Sequence, residues 1–222
     1  QLEAIRKHVP HCRYYNAGSS EEFGDVICEP QCEEHPLRPR SPYGASKCAA
    51  RHLVKVYRDS YDLYAIQGWL FNHEGTRRGE EFVTRKITQN VARIADEYAH
   101  EEPFKPLKLG NVSAKRDWSD AEDFVDGVWR MLNQEEYWTH VWQKAPDDYV
   151  LSSNETHSIK EFVEEAFNFA GFHRNKCRWE GSDKDTKYYH GEDLLMEVDP
   201  QFYRPAEVDL LWGDSDRARR EL

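Results

Sequence analysis

Tyr43 and Lys47 stand four residues apart in S-P-Y-G-A-S-K (41–47). On a helix, positions i and i+4 share a face, so this spacing presents a phenol and an ammonium to one site. A phenol with its ordinary pKa near 10 is a poor base at neutral pH, and an adjacent ammonium favours the phenolate. The pair therefore suits a tyrosine serving as general base. In a chain with 12 Tyr, about one such pair or fewer arises by chance, and i,i+4 is also ordinary helix-surface spacing, so the surroundings must decide. Residues 12–17 (CRYYNA) read as a strand running into Gly18-Ser19-Ser20, then Glu21 and Glu22. Sheet enzymes place their ligands at such strand ends. A polar loop with Pro30, Pro36, Pro39 and Pro42 brings the chain straight back to Tyr43.

The elements that must position these groups alternate between strand and helix, which favours an α/β architecture. Ala45, Ala49, Leu53, Val56 and Tyr57 recur at helical spacing over 43–61, and the mostly apolar run 64–71 (YAIQGWLF), broken by Gln67, suits a strand covered on both faces. A charged turn over 72–79 and a helix from about Thr84 with Ile87, Val91 and Ile94 on one face follow. Strands are expected at 107–109 and 149–151, and helices over 120–132 and from the capping box Ser158-x-x-Glu161 to about residue 170. The stretch 181–191 is polar and mildly low in complexity, and no internal repeat is visible.

The net charge of −11 argues against a nonspecific nucleic-acid binder, which needs a cationic field. Aromatics at 13% supply buried area and disfavour disorder. No apolar run is long enough for a membrane span, and five scattered cysteines make no disulfide framework, so a reduced, cytoplasmic protein is expected. Cys28-x3-Cys32 with His35 nearby lacks a second pair to close a zinc site, and no metal is expected. The opening Gln1-Leu2-Glu3-Ala4-Ile5-Arg6 has neither an initiator Met nor an apolar leader and reads as lying inside a longer polypeptide.

Five blocks, in order, carry a resemblance. They are A-G-S-S-E-E-F-G (17–24), S-P-Y-G-A-S-K (41–47), L-F-N-H-E-G-T-R-R-G-E-E-F-V-T-R-K-I-T (70–88), L-G-N-V-S-A-K-R-D-W (109–118) and V-D-P-Q-F-Y-R-P-A-E-V-D-L-L-W-G-D (198–214). Together they resemble the GDP-mannose 4,6-dehydratases, a branch of the extended short-chain dehydrogenase/reductases. The resemblance implies the second half of a Rossmann-type parallel sheet with helices on both faces, interleaved with a smaller α/β lobe. Residues 1–72 and 119–152 would form the partial NADP-binding lobe, and 73–118 with 153–222 the nucleotide-sugar lobe. It implies a lyase converting GDP-mannose to GDP-4-keto-6-deoxymannose and water, toward GDP-fucose and related deoxy sugars. Tyr43 would take the 4-hydroxyl proton, Lys47 would hold the nicotinamide ribose, and Ser19 would bond the 4-oxygen in place of the usual Thr. Glu21 would abstract the C5 proton. Glu22 competes for that role, although the family pattern has an apolar residue there.

The same resemblance assigns His73 and Arg78 to NADP, and Asn72, Lys86, Arg116, Arg204 and Glu207 to GDP-mannose. A homodimer or homotetramer is implied, with residues 76–85 reaching a neighbouring subunit's cofactor. Two departures stand out. None of the 12 Gly forms the family's glycine-rich phosphate turn, and residues 96–106 are longer than the usual connection, which suggests a projecting surface loop. The alternatives are another sugar-nucleotide epimerase or dehydratase of the extended family, or a catalytically incomplete module for binding or oligomerisation. Glu21 discriminates the first, since epimerisation at C4 needs no base at C5.

Overall fold

The computed structural model describes residues 1–134, 146–203, 208 and 210–222. Helix α1 spans Leu2–His8, strand β1 Tyr14–Ala17, helix α2 Pro42–Tyr61 and strand β2 Ala65–Leu70. Then come β3 Asn72–Glu74, α3 Val83–Ala99, β4 Leu107–Leu109, β5 Lys115–Arg116, β6 Trp118–Asp120 and α4 Ala121–Leu132. The chain continues through β7 Tyr149–Leu151, β8 His157–Ser158, α5 Ile159–Phe169, β9 Cys177–Glu180, β10 Lys187–His190 and β11 Asp193–Val198. It ends in β12 Leu210–Leu211 and α6 Asp216–Glu221.

Two compact units result. The first comprises residues 1–75, 117–156 and 210–222, the second residues 76–116 and 157–209. The contacts keep 210–222 with the first unit, where the division drawn from sequence put them with the second lobe. The cause is polar: Asp117 N–H donates to Leu211 O at 3.0 Å, Asp214 N–H to Gln31 O at 2.9 Å, and Tyr149 Oη to Glu221 Oε2 at 3.0 Å.

In the first unit β1, β2 and β7 form a parallel sheet with β2 in the centre, Tyr14 facing Ala65 and Gly68 facing Tyr149. Residues 65–69 are all buried, as a strand covered on both faces requires. Phe23, wholly buried, packs 6.0 Å from both Trp69 and Phe71, so an unhydroxylated ring is what this position accommodates. Helix α2 begins where Pro42 follows Ser41, whose Oγ accepts from Gly44 N–H at 3.0 Å, and stops at Asp62 with φ 51°. Short α1, invisible in the hydrophobic pattern, docks Leu2 and Ile5 onto Val54, Leu63 and Ala65.

The second unit holds the sheet β4-β11-β10-β9, with β4 parallel to β11 and the remaining pairs antiparallel. Ile87, Val91 and Ile94 are the buried face of α3, and Ser158 and Glu161 make the reciprocal cap of α5. Three expectations change. The polar stretch 181–191 contains all of β10, whose Tyr188 is buried 4.4 Å from Trp179. The charged turn after β2 starts as a strand, because Asn72, His73 and Glu74 pair in parallel with Trp118, Ser119 and Asp120 of β6. Residues 96–99 are the last turn of α3, so the connection to β4 begins only at His100, and Arg93 Nη2 donates to Lys105 O at 2.8 Å within it.

Candidate functional site

Strand β1 delivers the chain to Gly18, whose N–H donates to Gly68 O at 2.9 Å. A Cβ at Gly18 would lie 2.5 Å from that same oxygen, so the two strands close at this end only around glycine. Ser19 follows in extended conformation and caps a single 3-10 turn, Ser20–Glu22, its Oγ accepting from Glu21 N–H at 3.3 Å. The half-buried side chains of Ser19 and Glu21 therefore leave the backbone from one turn at the C-terminal end of a parallel strand. The N-terminus of α2 docks directly on this turn: a Cβ on Gly44 would sit 2.6 Å from Glu21 O.

Helix α2 sets the other two groups. Lys47 Nζ donates to Ala17 O at 2.8 Å and lies 5.4 Å from the centroid of the Tyr43 ring, so the two side chains share a face as their spacing predicts. Tyr43 is 53% exposed and thus open to a ligand. Ser19, Glu21, Tyr43 and Lys47 are brought together by β1, the turn and the first two turns of α2.

Glu22 points the other way. It is fully buried and accepts from Ser19 N–H at 2.9 Å, from Gln67 Nε2 at 3.1 and 2.9 Å, and from Trp69 Nε1 at 3.1 Å. Burial pushes its pKa up, and these donors oppose the shift. A carboxylate surrounded by donors and shut from solvent cannot meet a sugar, which separates the two candidate bases by geometry. Sequence reasoning missed Gln67, Trp69 and Asn16, whose Nδ2 donates to Gln67 Oε1 at 2.6 Å. The available signal was Gln67 itself, a polar residue interrupting an apolar strand.

Asn72 and His73 follow β2 on β3. His73 Nδ1–H donates to Phe71 O at 2.9 Å and its ring stacks on Phe124 with centroids 5.0 Å apart, leaving Nε2 as its free-standing polar atom. The remaining cations belong to the second unit. Arg78 covers the Phe82 ring at 3.6 Å, and Arg116 Nη1 donates to Lys115 O at 2.8 Å. Lys86 Nζ sits 3.6 Å over the Phe202 ring, and burial lowers its pKa. Arg204 and Glu207 lie outside the described residues.

Among the described residues no group of three or more His, Cys, Asp or Glu could hold a metal ion. His35, the nearest imidazole to the Cys28-x3-Cys32 pair, has both ring nitrogens engaged, Nδ1 with Pro36 O at 2.8 Å and Nε2 with Ile27 N–H at 3.2 Å. No helix among the described residues is long and apolar enough to cross a membrane.

The fold is shared with solved structures. RMD from Pseudomonas aeruginosa complexed with NADPH superposes with a TM-score of 0.74 at 21% identity, over 99% of this chain and 63% of that one. UDP-glucose 4-epimerase of Thermus thermophilus, complexed with NAD, gives 0.69 at 20% identity, over 99% and 60%. In sequence, GDP-mannose 4,6 dehydratase of Drosophila melanogaster is 42% identical over all of this chain and 53% of its own length. GDP-mannose 4,6 dehydratase 1 of Arabidopsis thaliana is 44% identical over the same shares. The chain thus spans about half the length of the curated relatives it matches. The model of the GDP-mannose 4,6 dehydratase family matches residues 1–222, and with relatives above 40% identity along the whole chain, this protein belongs to that family.

Proposed function

We propose that this chain carries the acid-base centre of a GDP-mannose 4,6-dehydratase, converting GDP-mannose to GDP-4-keto-6-deoxymannose and water. The observation that carries the proposal is the convergence of Ser19, Glu21, Tyr43 and Lys47 on one strand end, with Lys47 Nζ anchored to Ala17 O. A nicotinamide fits this arrangement, because Lys47 spends one of its three N–H donors on the backbone and keeps two for ribose hydroxyls beside an exposed Tyr43. NADP is the form we assign, following the resemblance and the NADPH complex of the Pseudomonas protein. When bound, it takes a hydride from sugar C4 and returns it at C6.

Tyr43 accepts the proton of the sugar 4-hydroxyl as the C4 hydride leaves, with the Lys47 ammonium 5.4 Å from its ring centroid. Ser19 donates to the resulting 4-oxygen. With a ketone at C4 the C5 proton becomes acidic enough for a carboxylate, so Glu21 removes it and passes a proton to the departing 6-hydroxyl, which leaves as water. As hydride is regained at C6, C5 takes up one proton, equivalent to the one Tyr43 removed from the 4-hydroxyl, so Tyr43 and Glu21 both end the cycle in their starting protonation states and no net redox change accumulates. His73 and Arg78 are assigned to the cofactor, and Asn72, Lys86, Arg116, Arg204 and Glu207 to GDP-mannose. Assembly into two or four copies, with residues 76–85 reaching a neighbour's cofactor, belongs to the same proposal.

The test is mass spectrometry of the sugar nucleotide after incubation with GDP-mannose and NADP⁺, beside Glu21→Gln and Tyr43→Phe. Loss of one water in the parent and at least a ~100-fold lower rate in each variant is the expected result. Equal conversion by the parent and Glu21→Gln would refute the role of Glu21. Release of a C4 epimer with no change of mass would favour the epimerase alternative.

A further inference from the structure

Among the described residues Glu22 and Asp117 are wholly buried carboxylates that the proposed chemistry leaves unused, and Glu22 joins every element that presents the reacting groups. Its side chain binds Ser19 N–H on the turn and both Gln67 and Trp69 on β2, and Gln67 binds Asn16 on β1. Its backbone oxygen accepts from Arg38 N–H at 3.1 Å, in the loop leading to Tyr43, and from Cys48 Sγ at 3.7 Å, one residue beyond Lys47 on α2. We propose that Glu22 is a positioning residue for the reaction proposed above: through the Ser19 amide it holds the turn from which the Ser19 hydroxyl and the Glu21 carboxylate are presented to Tyr43 and Lys47.

An apolar side chain would fill the same space without the cost of burying a carboxylate. What only an acceptor can do there is satisfy Ser19 N–H together with the two inward donors of β2. The Ser19 amide is the single contact of the four that belongs to the turn itself, so its loss frees Ser19 and Glu21 while β2 stays paired to β1 and β7. Arg51 is the cation that faces the carboxylate, stacked 5.2 Å over the Trp69 ring, and the Cys48 thiol is the other titratable group packed against it. Glu22→Gln keeps an oxygen for Ser19 N–H, turns the Gln67 and Asn16 amides over to satisfy its NH₂, and strands only Trp69 Nε1–H on β2. Glu22→Leu strands all three donors.

The inference rests on the proposed dehydratase activity and is tested in two ways at once. Steady-state kinetics with GDP-mannose and NADP⁺ should show Glu22→Leu with kcat reduced about 10–100-fold and KM within about twofold, and Glu22→Gln near the parent. Amide hydrogen exchange should show protection at Ser19 and Glu21 falling at least about tenfold in Glu22→Leu, with residues 65–70 of β2 unchanged and Glu22→Gln again near the parent. Parent-like kcat together with parent-like exchange at Ser19 in Glu22→Leu overturns the inference. Equal loss of protection throughout β2 also overturns it, because Glu22 would then serve the fold as a whole. A parent chain that converts no GDP-mannose refutes the dehydratase activity instead, and exchange at Ser19 still decides whether Glu22 holds the turn.

Discussion

Arg58 and Asp148 form a buried pair next to the site, each less than a tenth exposed, with Nη1 to Oδ1 at 2.5 Å and Nη2 to Oδ2 at 3.0 Å. Arg58 also donates to Ala65 O at 2.9 Å, and Asp148 Oδ1 accepts from Gln67 N–H at 2.8 Å, so the pair ties α2 to β2 beside the residue that holds Glu22. Replacing Arg58 with Met leaves a buried carboxylate facing one backbone N–H and Arg51 at 3.6 Å. At about 3 Å and an effective dielectric of ~20 the lost attraction is about 5–6 kcal/mol. Arg51 and the relief of Arg58's own desolvation reduce this, and the removal of one partner from buried pairs costs about 3–5 kcal/mol. Arg58→Met should therefore destabilise the first unit by about 3–4 kcal/mol in urea titrations followed by tryptophan fluorescence. The double variant Arg58→Met/Asp148→Leu strands no charge and loses chiefly the acceptor of Gln67 N–H, worth about 1–3 kcal/mol. It should recover part of the loss. A cost below about 1 kcal/mol for Arg58→Met, or a double variant less stable than the single, would refute this account of the pair.

Gly44→Ala places a Cβ 2.6 Å from Glu21 O and 3.0 Å from Pro39 Cβ, so the helix start must retreat from the turn. A loss of about 1–3 kcal/mol by thermal unfolding, with slower conversion, is expected despite the better helix propensity of Ala. Glu22→Gln changes the pH dependence of stability. Because the folded-state pKa of Glu22 is raised, the folded protein binds its proton more tightly, and stability falls as pH rises from the unfolded value to the folded one. The variant lacks that fall, so the difference in midpoint between parent and variant should move in favour of the variant as pH increases across that window. At α5, Ser158→Ala should cost about 1 kcal/mol near neutral pH. Ser158 N–H first, and the Ser158 hydroxyl after it, hold the Glu161 pKa below the usual carboxylate range, so the cost of Glu161→Gln is present above the unfolded pKa and fades as pH falls through the folded one. A cost that stays constant down to pH 3 would contradict the cap.

What could be read from the sequence follows from how each element is stabilised. Residues 65–70 announce β2 because both faces are covered, and Tyr43-x3-Lys47 announces its helix because one turn of spacing brings both groups to one face. The sheet β9-β10-β11 gave no such signal. In β9 and β10 only Tyr188 is buried, and β11 hides the adjacent Leu195 and Met196 before Val198, so no regular period shows. The two-residue strands β5 and β8 are too short to show a period at all. Only the apolar residue of the family pattern at position 22 favoured Glu21 over Glu22; the geometric reason was not legible, since neighbouring residues on a 3-10 turn diverge and the fold decides which one meets Gln67 and Trp69 across the sheet.

The return of residues 210–222 to the first unit has a consequence for synthesis. Gln31 exchanges hydrogen bonds with Trp212 at 2.7 and 2.9 Å, and Asp117 accepts from Gly213 N–H at 3.3 Å, so these residues find their partners only after residues 212 and 213 have been translated. At about 5–20 residues per second, the ribosome delivers those partners roughly 10–40 s after Gln31 has emerged. Throughout that interval buried Gln31 and Asp117 must stay hydrated or shielded by chaperones. The second unit, complete by residue 209, is free to fold first.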